Sequence, residues 1–155
     1  MEKKDLSYLN RCLELAEKAV AEGNQPFGSI LVSKDGEVLF EDHNRISEGD
    51  LTLHPELSIS RWASKNLTAE ERSSSTVYTS GEHCPMCASA HGLVGLGRIV
   101  YASSTAQLLE WRKELNKQSP KVKPLFIQDV LPEAIVDGPV AELAIKIKEL
   151  HRQAK

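Results

Sequence analysis

We predict an α/β fold in which one β-sheet is covered by helices on both faces. Short apolar segments typical of strands alternate along the chain with longer segments whose apolar residues have helical spacing, and this alternation is typical of a sheet between helical layers. The chain has 155 residues, of which 41% are hydrophobic. That length is enough for one core and too short for two ordinary domains. We therefore expect a single domain over residues 1–155.

The first part of the chain is predicted to form a helix and a β-hairpin. The helix is indicated by apolar residues at helical spacing, namely Leu6, Leu9, Leu13, Ala16 and Val20, and Gly23 ends it. Cys12 lies beside this apolar stripe, which predicts a buried and unreactive thiol. Residues 27–33 and 37–42 are predicted to be strands, because the Lys-Asp-Gly sequence between them is typical of a hairpin turn.

The rest of the chain is predicted to alternate helices with single strands. Helices are expected at residues 54–67, 84–95, 105–115 and 139–153. Three of these helices have a proline in or near their first turn, where the missing N–H has no helical partner in any case. Strands are expected at residues 75–80, 97–103 and 124–130. Together with the hairpin, this gives about five strands.

The cysteine content and hydropathy point to a cytoplasmic protein. No segment approaches 18 consecutive apolar residues, so we expect no membrane span. The first ten residues lack the apolar core of a secretory signal. Three cysteines are an odd number, and two of them are separated by only two residues. This pattern is a poor disulfide framework and favours a metal site in a reducing compartment.

The net charge of −3 is distributed unevenly along the chain. Residues 1–97 carry 9 basic and 15 acidic groups, a balance of −6, whereas residues 98–155 carry 10 basic and 7 acidic groups, a balance of +3. Residues 112–123 contain five of those basic groups. A solvated helix face followed by a polar loop is the favoured interpretation. An anionic partner for this basic segment is the alternative.

The segment Gly-Glu-His-Cys-Pro-Met-Cys-Ala-Ser-Ala-His-Gly at 81–92 predicts a zinc site. Cys84 and Cys87 have the Cys-x-x-Cys spacing that gives zinc two sulfur ligands. They lie in the first turn of a predicted helix, where the positive end of the helix dipole favours thiolates. The third ligand has two candidates. His91 would complete a compact structural site, whereas His54 would come from the start of another helix.

Glu56 favours a catalytic role for this zinc, because a structural site needs no carboxylate nearby. Three protein ligands leave one position for water, and zinc lowers the pKa of that water to about 7. A nearby carboxylate can then take the proton and pass it to a substrate. We therefore predict one zinc ion per chain, held by His54, Cys84 and Cys87, with a bound water or hydroxide and Glu56 as the proton shuttle. The H-x-E and P-C-x-x-C pattern is that of zinc deaminases, in which the Glu is not a ligand.

The chain resembles the cytidine deaminase-like superfamily, and within it the small bacterial guanine deaminases and nucleoside deaminases, with tRNA adenosine deaminases as relatives. The resemblance is carried by PFGSILV, HNR, HPEL, YTSGEHCPMCASA and GRIVYA, with DGPV as a weaker match. It implies a three-layer α/β/α fold with a mixed central sheet of about five strands. It also implies His54, Cys84 and Cys87 as zinc ligands and Glu56 as the proton shuttle. Asn44 and Phe27 match family residues that contact the substrate.

Two residues depart from the family pattern. Pro55 stands where Ala or Val is usual, and it removes a backbone N–H at a position that contacts the base in relatives. His83 stands where proline is usual before the first cysteine, and it is either inert or a substrate contact. Both are retained as predicted substrate-binding residues. Glu110 and Trp111 are either rim residues of the pocket or a surface charge and a core aromatic.

The resemblance implies zinc-dependent hydrolytic deamination of a free nucleobase or nucleoside, with release of ammonia. A guanine-type purine is favoured, with a cytosine-type base as the second choice. A tRNA adenosine-editing deaminase is the alternative, and a zinc-stabilised binding module is a third. The modest charge disfavours a nucleic-acid partner. Family members of this size are usually homodimers, and apolar residues of the last two long helices could form the contact, namely Leu108, Leu109, Ile145 and Ile147.

Overall fold

A five-stranded mixed sheet forms the middle layer of the computed structural model, which describes residues 1–155 and confirms the predicted α/β class. The strands are β1 (Gly28–Val32), β2 (Val38–His43), β3 (Thr76–Gly81), β4 (Ile99–Ser103) and β5 (Val136–Asp137). Their order across the sheet is β2-β1-β3-β4-β5. β1 pairs antiparallel with β2 and β3, whereas β3, β4 and β5 run parallel.

Seven helices cover the two faces of the sheet, which confirms the three-layer arrangement. They are α1 (Lys3–Ala21), α2 (Pro55–Asn66), α3 (Ala69–Ser73), α4 (Pro85–Val94), α5 (Thr105–Glu114), α6 (Ile127–Val130) and α7 (Ala141–Gln153). α1 and α7 pack together against β-strands, and α2 packs against α4, β1 and β2. None of these helices combines the length and the apolar character required to cross a bilayer.

The buried strand β1 separates two hydrophobic clusters. All five of its residues are buried, and alternate side chains of a strand point to opposite faces. Ile30 packs into the larger cluster with residues of α1 and α7, whereas Leu31 packs into the smaller one with Ile59 of α2. Cys12 is fully buried in the larger cluster. Burial raises the pKa of its thiol, in agreement with the predicted unreactive role.

The strand predicted at residues 124–130 is wrong. Pro124 has no N–H to give to a sheet. Leu125 N donates to the carbonyl oxygen of Lys123. The following two N–H groups bond to carboxylates, since Phe126 N donates to Asp129 Oδ2 and Ile127 N donates to Glu82 Oε2. The segment therefore forms the short helix α6, and the fifth strand lies further along at Val136–Asp137. Ile127 is buried. The apolar residues that resembled a strand in the sequence therefore include a buried position of a short helix.

Candidate active site

The site is built at the adjacent starts of α2 and α4, which pack against each other. His54 is the N-cap residue of α2, and Cys84 is the N-cap residue of α4. Each is followed by a proline in the first helical position, where the fixed backbone angle of proline suits the helix. The first N–H groups of both helices have no helical acceptor and carry partial positive charge. The two helix starts therefore place anionic thiolate ligands in a favourable field.

His54, Cys84 and Cys87 form a cluster that fits a zinc ion. His54 Nδ1 lies 3.6 Å from Cys84 Sγ and 3.7 Å from Cys87 Sγ, and the three ligand atoms all lie within 4.8 Å of one another. Tetrahedral zinc, with Zn–N near 2.0 Å and Zn–S near 2.3 Å, places nitrogen and sulfur about 3.6 Å apart. The protein geometry therefore already has the spacing that this metal requires.

The protonation of the thiols also fits a cation site. Hydrogen bonds from Cys87 and from His54 lower the pKa of the Cys84 thiol to about 4. The hydrogen bond to Cys84 raises the pKa of the Cys87 thiol, and a hydrogen bond with Cys84 raises the pKa of His54. The three groups therefore interact strongly with one another. A divalent cation takes the place of the protons on these groups, because it binds thiolates and neutral imidazole.

His91 does not join this cluster. Its Nε2 lies 2.8 Å from the carbonyl oxygen of Gly97, and its ring packs edge-on against the ring of His83 at a centroid distance of 5.4 Å. His83 is only 1% exposed and does not line the cavity beside the cluster. Burial lowers the pKa of His83 well below its usual value. The structure therefore places the predicted substrate residue His83 outside the wall of this cavity.

Glu56 lies in the first turn of α2 and faces the same cavity as His54 and Cys84. It is 4% exposed, and burial raises the pKa of its carboxyl group to about 7. The Oγ atom of Ser29 on β1 lies 3.0 Å from Glu56 Oε1 and 2.8 Å from Thr79 Oγ1. Sequence reasoning assigned no role to Ser29. The sequence feature that could have indicated a role for Ser29 is a serine within a buried and otherwise apolar strand.

A cavity of about 530 Å³ opens beside the metal cluster, a volume within the range of small-molecule sites. One part of its wall comes from the predicted substrate residues Phe27, Asn44 and Pro55 together with Met86. The other part comes from residues after β4, namely Thr105, Leu108, Arg112, Pro120, Lys121, Val122, Pro124 and Leu125. Glu110 is exposed and Trp111 is buried, and neither lines the cavity. They are a surface charge and a core aromatic.

Asn44 and Phe27 occupy positions suited to holding a flat ring. Asn44 is buried, and its side-chain Oδ1 accepts a hydrogen bond from Ile46 N. Its side-chain amide can therefore still donate into the cavity. The Phe27 ring packs edge-on against His151 at a centroid distance of 5.4 Å. A Cβ atom at Gly81 would lie 3.0 Å from Phe27 Cε1, so the glycine makes room for this ring.

Glu82 connects the two parts of the cavity wall. One carboxylate oxygen accepts a hydrogen bond from Thr105 N at the start of α5, and the other accepts one from Ile127 N at the start of α6, both at 2.9 Å. The carboxylate thereby caps two helix starts. Sequence reasoning missed Glu82, because its partners lie 23 and 45 residues away and no local pattern indicates them.

Comparison with known proteins identifies the family. A family model described as the cytidine and deoxycytidylate deaminase zinc-binding region matches residues 2–103. A probable cytosine deaminase of Schizosaccharomyces pombe is 32% identical over 136 residues, which cover 86% of this chain and 80% of that protein. A tRNA-specific adenosine deaminase of Haemophilus influenzae is 35% identical over 101 residues, which cover 64% of this chain and 58% of that protein.

Solved structures agree with the sequence relatives. The crystal structure of guanine deaminase from Bacillus subtilis superposes with a TM-score of 0.61 and 27% identity, covering 85% of this chain and 91% of that chain. The matched region includes the three residues that form the candidate zinc site, since His54, Cys84 and Cys87 all lie between residues 2 and 103. The chain belongs to the zinc-binding cytidine and deoxycytidylate deaminase family.

Proposed function

We propose that this protein catalyses hydrolytic deamination of a free nucleobase or nucleoside, with a guanine-type purine favoured and a cytosine-type base second. The observation that carries the proposal is the position of Glu56. A buried carboxylate lies in the same small cavity as a zinc-compatible His-Cys-Cys cluster, and burial raises its pKa towards neutrality. A zinc-stabilised binding module would have no use for such a group.

The mechanism assigns a proton-transfer role to Glu56. His54, Cys84 and Cys87 would hold the zinc ion, which would supply Lewis-acid activation of water at neutral pH. Glu56 takes a proton from the attacking water, whose oxygen bonds to the carbon that bears the exocyclic amine. The protonated Glu56 gives this proton to the ring nitrogen. It then takes the second proton from the hydroxyl group now on the ring carbon and gives it to the departing amine. Ammonia leaves, and an oxo group remains on the ring.

Asn44 and Phe27 are proposed to orient the ring for this attack. The free amide N–H groups of Asn44 can donate to a carbonyl oxygen or ring nitrogen of the base. The Phe27 ring provides a flat apolar wall. Pro55 also lines the cavity and has no N–H to offer to the base. Substrate orientation therefore relies on side chains rather than on the backbone at that position.

A tRNA substrate is the alternative, and a related protein of Haemophilus influenzae is named for that activity. A tRNA-editing enzyme must contact several phosphates. Of the five basic residues in 112–123, Arg112 and Lys121 line the cavity, and Lys117 donates to the carbonyl oxygens of His151 and Ala154. The basic segment therefore does not present a continuous row of free cations for RNA. This favours the small substrate.

Substrate class is tested by measuring ammonia release from free guanine, cytosine, adenine and their nucleosides beside an adenosine-containing tRNA anticodon stem. We expect turnover of a small substrate. Its rate should barely change between about 50 and 200 mM salt, a range over which several phosphate contacts would weaken binding on the order of 10³-fold. Deamination of the RNA alone, with binding abolished by salt, would show that the small-substrate proposal is wrong.

We further propose that the protein is a cytoplasmic homodimer. Its three cysteines are free, which suits a reducing compartment. Of the apolar residues predicted for the contact, Ile145 is 71% exposed, whereas Ile147 is fully buried in the core of its own chain and is not available.

Light scattering should therefore give about twice the chain mass of 17.2 kDa at micromolar concentration. Ile145→Glu should shift the population towards monomer, because it places a charge on the apolar surface of α7. Lys146→Gln is the matched control, since it changes the net charge equally at the next exposed position. A wild-type protein that remains a monomer would contradict the homodimer.

A further inference from the structure

Two cationic side chains belong to the part of the cavity wall that follows β4. Arg112 comes from the last turn of α5, and Lys121 comes from the segment between α5 and α6. Arg112 is partly buried and Lys121 is exposed. Both line the same cavity as Glu56 and the metal cluster. The proposed deamination of a neutral base gives neither of them a role.

Arg112 differs from the other arginines because it is partly buried without a partner. Four arginines pair with carboxylates, namely Arg11, Arg45, Arg98 and Arg152, and Arg72 donates to backbone carbonyls. The Arg112 side chain makes no ion pair or hydrogen bond within the chain, and burial alone lowers the pKa of its guanidinium. A guanidinium presents five N–H donors. No group of the chain therefore compensates for the partial desolvation of the Arg112 guanidinium.

The surroundings of Arg112 are cationic rather than acidic. Burial, followed by the positive charges of Arg112 and Lys117, lowers the pKa of His151 to about 3. The two acidic residues that line the cavity are Glu56 and Glu82. Glu82 accepts backbone hydrogen bonds at both carboxylate oxygens, and Glu56 belongs to the proposed proton shuttle. Neither carboxylate pairs with Arg112, so an anion that enters the cavity would meet an unpaired guanidinium.

We propose that Arg112, with Lys121 from the same wall, forms a subsite for an anionic oxygen group carried by the substrate, either a phosphate monoester or a carboxylate. The proposal rests on the proposed deaminase function and adds the chemical class of the substrate to it. The guanidinium would bind the two oxygens of such a group in the bidentate geometry that arginine favours. Lys121 would add a second charge without fixed geometry.

A small anionic substrate fits this subsite better than an RNA chain. RNA affinity comes from many phosphates along a basic groove, whereas the cavity wall supplies two cations. One terminal phosphate or carboxylate is enough to satisfy Arg112. Because Arg112 and Glu56 line one cavity, the anionic group and the reacting ring belong to the same small molecule.

Equilibrium binding separates this proposal from the catalytic one. Calorimetry is performed on the zinc-loaded Glu56→Gln protein, which holds ligands without consuming them. The probes are guanosine, cytidine and adenosine beside their 5′-monophosphates, and cytosine beside 5-carboxycytosine. We expect at least one anionic probe to bind on the order of tenfold or more tightly than its neutral counterpart. The phosphate and carboxylate pairs show which anionic group is recognised.

Substitutions of Arg112 in the same background assign the preference to this residue. Arg112→Gln keeps much of the length and should reduce the ratio of anionic to neutral affinity to near one. Arg112→Lys should retain part of the ratio, because it keeps the charge but not the bidentate geometry. Arg61→Gln is the matched control, since Arg61 is an exposed arginine on α2 outside the cavity wall, and it should keep the full ratio.

Three results would overturn the anion subsite. The first is equal affinity for every neutral and anionic pair, including no binding of either. The second is a preference that persists in Arg112→Gln. The third is tight binding of a tRNA anticodon stem, and of no small anion, that is lost in Arg112→Gln, because the partner would then be RNA. Failure of the deaminase proposal gives a different result, namely no ammonia release by the wild-type protein from any neutral or anionic probe.

Discussion

Glu56→Gln should lower turnover by at least about 10²-fold while zinc remains bound, a loss at the lower end of those expected when a general acid–base group is removed. Glutamine has nearly the shape of glutamate, and its side-chain oxygen can still accept the contact from Ser29 Oγ that lies 3.0 Å from Glu56 Oε1. It cannot carry a proton between water and the substrate. The measurement is ammonia release by protein whose zinc content has been determined.

Glu110→Gln provides the matched control for this experiment. It removes the same charge from an exposed position on α5 that does not line the cavity, so turnover should stay within about twofold of the wild type, as for most surface substitutions. Near-normal turnover of zinc-loaded Glu56→Gln would show that another group moves the proton.

Loss of any of the three proposed metal ligands should remove both zinc and activity. His54→Ala, Cys84→Ser and Cys87→Ser each leave two of the clustered ligand atoms, and a site with two protein ligands does not hold zinc as three do. Zinc content should fall from about one ion per chain towards zero. Turnover should fall at least as far as in Glu56→Gln, because unassisted water has a pKa of about 15.7. Elemental analysis of folded protein makes the measurement.

His91 and Cys12 supply the controls for the metal experiment. His91→Gln should keep its zinc, although the variant loses the ring that contacts the carbonyl oxygen of Gly97 and should be less stable. Cys12→Ala should also keep its zinc, because that thiol is buried in the core. Thermal unfolding distinguishes lower stability from metal loss. A variant set in which His91→Gln, Cys84→Ser and Cys87→Ser lose zinc while His54→Ala keeps it would instead support the compact Cys-Cys-His structural site.

The metal cluster was predictable because each half of it is a local sequence pattern. His54 and Cys84 both precede a proline that begins a helix, so spacing alone indicates which side chains project from the helix starts. The hairpin, its turn and the long helices follow from equally local patterns. The strand prediction for residues 124–130 was wrong because the apolar content was the local signal, whereas Glu82, which binds the backbone of Ile127, lies 45 residues away.

Residues whose roles depend on distant contacts could not be assigned from the sequence. His83 is adjacent to a ligand in sequence, yet its ring turns towards His91 and away from the cavity. Arg112 was indistinguishable from the solvated lysines that follow it, because only the fold brings it into the cavity wall. Ser29 and Glu82 are also ordinary in sequence, and their importance comes from partners at least 23 residues away.

The two-part construction of the cavity wall has a consequence for protein engineering. The part that holds the metal cluster lies within residues 2–103, the region that matches the family model, whereas much of the remaining wall lies between Thr105 and Leu125. Substrate range can therefore be diversified in the second segment without altering the hydrolytic machinery. Libraries restricted to cavity positions from 105 to 125 should retain zinc and fold, provided that Glu82 and its hydrogen bonds to the backbone of Thr105 and Ile127 are kept as the attachment points.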